Sequence, residues 1–580
     1  MSGLYDRIDG SYRATRRSDP RIATTFGTAD PHKQEATMTG TFLNEDSVIH
    51  HRGMPAKVFR TEMTPVDLLA RAASMYAEKD AVVHGARCYT YAQFGERAWR
   101  LANGLRAAGL QKGDRVATLL PNCPAMLEAH FGVPAAGGVL VTVNTRLSSA
   151  EVEYILRHSG ARTLLLDAEL AELVESLDLS GIDVIRVDDT GATGDPYEDL
   201  LAASSPEQPE SWLEDEEETI SINYTSGTTG RPKGVQYTYR GAYLSALNEA
   251  LVTGLSPESV FLWLQPMFHC NGWCFAWGVT AVAGRHLTIR KVEPDLVWDL
   301  IDTQGVTNFN GAPTVQLMVI NHPKAHRVER QVTVMVAAAP PSPTLFARMD
   351  DLNFRVIHVY GLTETYGPTT MCPERAEWRS LPTAERARLL SRQGQAYPSA
   401  DLVRVVDERM IDVARDGETM GEVVMRGNII MQGYFDDPEA TATAFRGGWF
   451  HSGDLAVWHP DGNVELRDRG KDIIISGGEN ISSIEVEQTI VAHPSVLECA
   501  VVAIPHPHWG ERPKAFVTLN EGMTATAEEI LTFARDRLAH YKCPDAVEFG
   551  PLPKTSTGKV QKYVLREKEW TGHETRIGAA

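Results

Sequence analysis

Apolar and polar positions follow helix-like and strand-like periods in turn from about residue 65 onward. Ser148 and Glu151 have the spacing of a capping box, apolar side chains then recur on one face, and Gly160 is a typical helix stop. The next run, 161–166, predicts a short buried strand. Alternation of this kind predicts the α/β class, with parallel β-sheets covered by helices.

The same patterning suggests how the chain is divided. Residues 1–55 lack a sustained apolar period, and we expect a partly ordered leader there. A charged stretch at 468–472 follows a strand-like segment. We therefore expect a large N-terminal domain over 56–469 and a small, mobile α+β cap domain over 470–580. The cap has strand candidates at 500–504 and 515–519 and an amphipathic helix candidate at 526–538.

Composition narrows the function classes. With 580 residues and a net charge of -20, the chain does not have the character of a general nucleic-acid binder, which carries clustered surface Lys and Arg. Its seven cysteines include no C-x-x-C pair, which favours reduced thiols over a disulfide framework. No run of 18 apolar residues predicts a membrane span, and no signal-peptide core is found near the start. We expect a cytoplasmic protein.

The most informative motif is YTSGTTGRPKGV at residues 224–235, directly after a strand-like segment. Gly227 and Gly230 allow a ligand to approach the backbone, hydroxyl and amide groups can face phosphate oxygens, and Lys233 adds a cation. The string is not a Walker loop, because Lys233 is followed by Gly234 and not by Ser or Thr. It predicts a phosphate-binding loop of another kind.

Five further blocks follow in order. They are PMFHCNGW at 266–273, VYGLTETYGP at 359–368, GWFHSGDLA at 448–456, DRGKDIIISGGENI at 468–481 and PKTSTGKVQK at 553–562. Together with the phosphate loop they resemble the adenylate-forming superfamily of acyl-CoA synthetases, peptide-synthetase adenylation domains and beetle luciferases. The resemblance covers about residues 60–565. Within the superfamily, HCNGW with GLTETYGP is most similar to ligases for short- and medium-chain fatty acids or aryl-alkanoic acids.

The resemblance implies an ATP-dependent, AMP-forming carboxylic acid:CoA ligase and assigns roles to individual residues. The implied ATP/AMP-binding residues are Thr225, Ser226, Gly227, Thr228, Thr229, Gly230, Lys233, Ala338, His358, Val359, Tyr360, Gly361, Asp454 and Arg469. The implied catalytic residues are Lys559, Glu364, Thr363 and His269, and the implied acyl pocket comprises His269, Cys270, Trp273 and Gly361. Thr225 and Glu364 are the implied Mg²⁺ ligands, Lys471 the hinge, and Gly477, Gly478 and Glu479 the CoA-binding loop.

The chemistry of acid activation independently calls for these residue types. A thiol cannot displace oxide from a carboxylate, so the acid must first attack the α-phosphate of ATP and expel pyrophosphate. Cations must therefore gather around the phosphates. Glu364 suits a hard cation such as Mg²⁺, and Lys559 can neutralise charge in the transition state. In the superfamily the cap swings about the hinge between a pose for adenylation and a pose for thioester formation.

Several alternatives stay open at this stage. The spacing of His269, Cys270 and Cys274 departs from that of zinc sites, which argues against a metal there. An amino-acid or aryl-acid adenylation enzyme serving a carrier protein is one rival, although amino-acid enzymes usually carry Asp at the position of His269. A non-catalytic nucleotide-binding relative is another. Trp273 could be plain core packing. Whether the protein forms a homodimer is also open.

Overall fold

The structure is a computed structural model that describes residues 60–225, 232–337, 343–477, 479–555 and 559–571. These residues belong to one compact unit that begins at Arg60. The leader predicted at 1–55 lies outside the described residues.

The strands and helices, in chain order, have the following bounds. The strands are β1 Asp80–His84, β2 Arg87–Thr90, β3 Arg115–Leu119, β4 Val139–Thr142, β5 Ala161–Asp167, β6 Asp183–Val187, β7 Thr219–Tyr224, β8 Gly234–Thr238, β9 Val260–Trp263, β10 Arg285–Thr288, β11 Asn308–Gly311, β12 Val332–Val336, β13 Phe354–Leu362, β14 Gly367–Met371, β15 Gln395–Ala396, β16 Arg404–Val406, β17 Met420–Met425, β18 Gly433–Tyr434, β19 Phe450–Trp458, β20 Val464–Arg469, β21 Ile474–Ser476, β22 Glu479–Ile481, β23 Val496–His506, β24 Gly510–Leu519 and β25 Ala546–Phe549. The helices are α1 Pro65–Met75, α2 Tyr91–Ala107, α3 Pro124–Ala135, α4 Ser149–Ser159, α5 Pro196–Ala203, α6 Tyr239–Thr253, α7 Cys270–Trp273, α8 Phe275–Ala281, α9 Pro294–Gln304, α10 Pro313–Ile320, α11 Pro343–Asp351, α12 Thr383–Leu390, α13 Pro438–Ala444, α14 Ser483–Val491, α15 Ala527–Arg535 and α16 Lys562–Trp570.

The described strands form four sheets. A seven-stranded sheet has the order β18-β8-β7-β4-β3-β5-β6, and a nine-stranded sheet has the order β15-β14-β13-β12-β11-β9-β10-β1-β2. Their inner strands are parallel, as in β4 with β7 and β12 with β13, and antiparallel strands lie at the edges. A four-stranded antiparallel sheet, β16-β17-β19-β20, ends the large domain. The last sheet, β22-β21-β24-β23 with β25 on β24, belongs to the cap.

Local predictions from the sequence are confirmed where hydrogen bonds close within a few residues. Ser148 and Glu151 form the capping box of α4, and Gly160 ends that helix with φ of 63°. Thr526 caps α15 in the same way. In the cap, β23 is longer than the predicted strand, because its ladder with β24 extends from Val496 to His506. Among the described residues, no helix combines the length and apolar character that crossing a membrane requires.

The parallel strands determine where the chemistry gathers. The YTSGTTG loop follows the carboxyl end of β7, and the GLTET segment lies at the carboxyl end of β13. Ligands of parallel α/β sheets bind at this edge, outside the carboxyl ends of the strands. The fold therefore brings Lys233, at the described end of the phosphate loop, and the GLTET segment to the two sides of Tyr434.

Candidate active site

The phosphate loop is closed at its base by two hydrogen bonds. Thr225 N–H donates to the Lys233 carbonyl at 3.0 Å, and Lys233 N–H donates to Thr225 Oγ1 at 3.3 Å. Lys233 Nζ lies 4.7 Å from the centre of the Tyr434 ring and 3.7 Å from Asp437 Oδ2. The side chain of Lys233 is thus held at the exit of the loop. The predicted residues Ser226, Gly227, Thr228, Thr229 and Gly230 lie outside the described residues.

Hydrogen bonds from Tyr237, Met431 and Tyr434 help to hold the short 3₁₀ turn Thr363–Thr365, which follows β13. Tyr237 Oη donates to the Thr363 carbonyl at 2.5 Å, and Met431 N–H donates to the Glu364 carbonyl at 2.8 Å. Tyr434 Oη donates to Glu364 Oε1 at 2.9 Å. Both the backbone and the carboxylate of Glu364 are therefore fixed by contacts from other parts of the fold.

The donor set suits Mg²⁺ bound together with nucleotide phosphates. The hydrogen bond from Tyr434 occupies one carboxylate oxygen of Glu364, and the second can face a cation. Mg²⁺ in nucleotide sites is usually held by one or two protein oxygens, with phosphates and water as the other ligands. No group of three or more His, Cys, Asp or Glu within the described ranges could hold a metal. Glu364 and Thr225 would thus hold the ion only together with phosphate.

A buried carboxylate lies where the resemblance implies ribose binding. Asp454 on β19 faces Arg469 on β20, with Arg469 Nε 3.2 Å from Asp454 Oδ1. Tyr360 Oη donates to Asp454 Oδ2 at 2.6 Å. Burial and the negative charge of Asp454 raise the pKa of Tyr360. The phenol is thus a neutral donor that keeps Asp454 in place.

Four other residues are predicted around adenine, and the structure describes three of them. His358 is buried and its Nδ1 lies 2.8 Å from the Arg392 carbonyl, and burial lowers its pKa to about 4. Val359 is buried. A Cβ at Gly361 would lie 1.9 Å from the Gly367 carbonyl oxygen, so only glycine fits there. Ala338 lies outside the described residues. The roles of these residues in adenine binding stay predictions.

The PMFHCNGW block ends in a left-handed turn, α7, that sequence patterning did not indicate. Cys270, Asn271 and Trp273 have φ of 44°, 44° and 53°, in the left-handed region that residues other than glycine rarely adopt. Asn271 N–H donates to Asn223 Oδ1 at 2.8 Å, and Asn223 Nδ2 donates back to Asn271 Oδ1 at 2.5 Å. Ser221 Oγ also donates to Asn271 Oδ1, at 3.2 Å. Buried side chains of β7 thus stabilise the turn.

This turn places the predicted acyl-pocket residues against the end of β13. The Cys270 thiol lies 3.7 Å from Thr363 Oγ1. Trp273 is buried, and a Cβ at Gly367 would lie 3.2 Å from its indole Cδ1. The indole therefore packs closely on the backbone of β14. This packing is compatible both with a pocket wall and with the core-packing alternative for Trp273.

The cap brings Lys559 within electrostatic reach of His269, the first residue of this turn's neighbourhood that the sequence predicts as catalytic. Thr555 N–H donates to the Lys559 carbonyl at 2.7 Å, which closes the lysine loop. The Lys559 side chain is exposed, and nearby protein groups remove part of the solvent around its ammonium. These surroundings and the positive charge of Arg469 lower the pKa of Lys559 to about 8. Burial and, secondarily, the charge of Lys559 lower the pKa of His269 to about 4, so His269 is neutral at pH 7. Lys559, Arg469, Asp454 and His269 therefore form one electrostatic cluster.

Comparison with known proteins identifies the family. The AMP-binding enzyme family matches residues 69–435, and the C-terminal domain of AMP-binding enzymes matches residues 485–559. This chain belongs to the AMP-binding enzyme family. The predicted family and α/β fold class are confirmed. The boundary between 469 and 470 stays a prediction.

Similar proteins include named acid–CoA ligases. An acetate–CoA ligase of Humulus lupulus is 44% identical over 540 residues, covering 88% of this chain and 95% of that protein. A peroxisomal acetate/butyrate–CoA ligase of Arabidopsis thaliana is 44% identical over 538 residues, with the same two shares. The crystal structure of ATP-bound MatB from Rhodopseudomonas palustris superposes with a TM-score of 0.78 at 28% identity, covering 87% of this chain and 99% of MatB. The prediction of a CoA ligase is thereby confirmed at the level of the family.

In this AMP-binding enzyme the predicted hinge lies between β20 and β21. Burial and the charge of Arg469 lower the pKa of Lys471 to about 8. The next residue, Asp472, is paired with Arg566 of α16. An ion pair thus connects the residue after the predicted hinge to α16, the last described helix of the cap.

One residue beside the predicted CoA loop was missed by the sequence analysis. Gly477 has φ of 60°, its N–H donates to the Trp509 carbonyl at 2.9 Å, and a Cβ there would lie 2.7 Å from the Trp509 ring. Trp509 lies in the turn between β23 and β24 and is 47% exposed. The signal that could have found it is a tryptophan in the His-, Pro- and Gly-containing segment between the two predicted strands. Glu479 begins β22 and is exposed, and Gly478 lies outside the described residues.

Proposed function

We propose that this enzyme joins a short- or medium-chain carboxylic acid to CoA in two steps, through an acyl-adenylate. The observation that carries the proposal is that Lys559 of the cap lies within electrostatic reach of Asp454, Arg469 and His269, of which Asp454 and Arg469 form an ion pair. The names of the two similar plant ligases support a small aliphatic acid. An aryl-alkanoic acid is the second candidate, because the same motifs resemble those of ligases for that class.

In the first step a carboxylate oxygen of the acid attacks the α-phosphorus of ATP. A bond forms between this carboxylate oxygen and the α-phosphorus. The bond between the α-phosphorus and the oxygen that it shares with the β-phosphate breaks, and pyrophosphate leaves. Lys559 neutralises charge on the carboxylate and the α-phosphate, and Lys233 binds the outer phosphates. Mg²⁺, when bound, offsets further phosphate charge. Thr225 and Glu364 would hold it.

The nucleoside is oriented by groups that are already in place. Asp454 accepts hydrogen bonds from the ribose hydroxyls, while Tyr360 and Arg469 hold its two oxygens in position. His269, neutral at pH 7, adds no positive charge beside the acid. A preorganised site of this kind reduces the reorganisation that the transition state requires.

In the second step the CoA sulfur attacks the acyl carbon. A carbon–sulfur bond forms, the bond between the acyl carbon and the phosphate oxygen breaks, AMP leaves, and the thiol proton passes to solvent. The loop with Gly477, Gly478 and Glu479 would line the path of the thiol after the cap turns about Lys471. The exposed indole of Trp509 lies beside that loop and would contact CoA.

The test is product formation by the full-length protein with ATP, Mg²⁺ and CoA. Straight-chain acids from acetate to octanoate, branched acids, phenylpropanoate and amino acids are compared, and acyl-CoA, AMP and pyrophosphate are quantified by chromatography. We expect acyl-CoA and AMP in equal amounts with short aliphatic acids. Amino-acid-dependent pyrophosphate exchange without any thioester would favour a carrier-protein adenylation enzyme. Absence of turnover with every acid would favour a non-catalytic relative.

We further propose a cytoplasmic location. All seven cysteines are free thiols, which suits a reducing compartment. Since one similar ligase is named as peroxisomal, fractionation of source cells with markers for both compartments is the deciding measurement.

A homodimer is also proposed, and light scattering of the purified protein tests it.

A further inference from the structure

Tyr434 contacts both a negatively and a positively charged side chain of the site, Glu364 and Lys233. Its hydroxyl donates to Glu364 Oε1 at 2.9 Å, and its ring lies 4.7 Å from Lys233 Nζ. The first contact fixes a carboxylate and the second stabilises an ammonium through the face of the ring. Neither contact was indicated by the motifs, because Tyr434 lies outside all six of them.

The backbone of Tyr434 is held beside the phosphate loop. Strand β18 pairs with β8, with Tyr434 opposite Val235, and Phe435 N–H donates to the Gly234 carbonyl at 2.7 Å. Lys233 immediately precedes β8. The side chain of Tyr434 then reaches across to the turn that follows β13, in the other large sheet. Tyr434 therefore spans the gap between the two sheets at the proposed phosphate site.

The chemistry of the phenol suits this position. Lys233 and Glu364 carry opposite charges, and direct pairing would occupy the carboxylate needed for a cation and the ammonium needed for phosphate. A neutral ring contacts both groups without pairing the ammonium with the Glu364 carboxylate, and the other acidic group beside Lys233 Nζ is Asp437, at 3.7 Å. The hydroxyl of Tyr434 donates its proton to Glu364 Oε1, as a phenol does beside a carboxylate.

We propose that Tyr434 is a positioning residue that keeps Glu364 ready for Mg²⁺ and Lys233 ready for the ATP phosphates. This inference rests on the proposed function, because the ligand concerned is the Mg²⁺ complex of ATP. The residue acts through Glu364 and Lys233 and does not itself touch the reacting atoms.

The test measures ATP binding to the full-length protein by titration calorimetry, once with excess Mg²⁺ and once with EDTA. Tyr434→Phe removes the hydroxyl and keeps the ring. We expect it to weaken binding about tenfold with Mg²⁺ and to leave binding in EDTA unchanged, because only a hydrogen bond to a charged group is lost. Tyr434→Leu also removes the ring from Lys233, so binding in EDTA should weaken by about threefold as well.

A double mutant shows whether Tyr434 acts through Glu364. If it does, Tyr434→Phe combined with Glu364→Gln should weaken Mg²⁺-dependent binding no more than Glu364→Gln alone. Tyr197→Phe is the matched control, since Tyr197 Oη donates to Glu128 Oε2 at 2.6 Å at a site outside the proposed machinery. That variant should keep the wild-type ratio of ATP affinities with and without Mg²⁺. Thermal melts report the folding of every variant.

Wild-type binding by Tyr434→Phe under both conditions would overturn the proposal, and so would fully additive losses in the double mutant. An unchanged Mg²⁺ preference in Glu364→Gln would also overturn it, and acyl-CoA formation by the wild type would then show that the proposed function survives. Conversely, if the wild type forms no acyl-CoA from any acid, the proposed function fails, while the binding data still decide the role of Tyr434.

Discussion

Adenylation should weaken as the pH rises through about 8, because Lys559 then loses its charge. The surrounding protein and the charge of Arg469 lower the pKa of this side chain to about 8 in the ligand-free protein. A lysine with a lowered pKa is protonated below that value and neutral above it. The ratio kcat/KM reports titration of the free enzyme. It should therefore follow the ionisation of Lys559.

The size of the effect follows from this pKa. With a pKa of about 8, roughly 90% of Lys559 is protonated at pH 7 and roughly 10% at pH 9. Loss of a preorganised charge commonly lowers the rate by about 10² to 10³, so the neutral form contributes little. We expect kcat/KM for adenylation to fall about ninefold between pH 7 and pH 9. Lys559→Ala should be slow at every pH.

The assay is acid-dependent pyrophosphate release at subsaturating ATP across this pH range. Lys559→Arg keeps its charge throughout, so its profile should be flat. The pKa of Lys471 is also lowered to about 8, and Lys471→Arg is therefore the second control, in which the fall should persist. Thioester formation from supplied acyl-adenylate should be spared in Lys559→Ala. A fall of the same size and midpoint in Lys559→Arg would refute the reasoning.

Three further predictions concern other parts of the molecule. Trp273→Ala should favour longer acids, since each newly buried methylene is worth roughly 0.8 kcal/mol. Two methylenes would shift kcat/KM ratios over a chain-length series about tenfold, whereas parallel profiles with lower thermal stability would mean that Trp273 is core packing. Trp509→Ala should raise KM for CoA roughly fivefold or more, as expected for a lost aromatic stack, and should leave pyrophosphate release unchanged. An unaltered KM would show that Trp509 does not contact CoA. Ser148→Ala should destabilise α4 by about 1 kcal/mol in denaturant titrations, whereas Ser148→Asp, which can still cap the helix, should not.

Local structure was largely readable from the residues themselves. The capping box of Ser148 and the stop at Gly160 depend on hydrogen bonds that close within a few residues, so spacing alone predicts them. The same holds for the cap of α15 at Thr526. Strand ends were less accurate, because the ladder of β23 with β24 is set by the partner strand and not by the local pattern.

Within the site, the motifs indicated residue types but not their contacts. His358 was expected near adenine, and the structure places its Nδ1 beside the Arg392 carbonyl. The left-handed turn at Asn271 has no local signature, since it depends on Asn223 and Ser221 in a separate strand. Such conformations persist only where surrounding structure holds them.

The α/β class, the family and the chemistry of activating an acid with ATP can be predicted from the residues alone, because periodic patterns and short motifs carry this information in neighbouring residues. The folded protein was needed to show that Lys559 lies within electrostatic reach of His269 and that Tyr434 contacts both Glu364 and Lys233. These contacts join residues far apart in the chain. Their geometry depends on how two sheets and a cap pack together, and no spacing along the sequence encodes that packing.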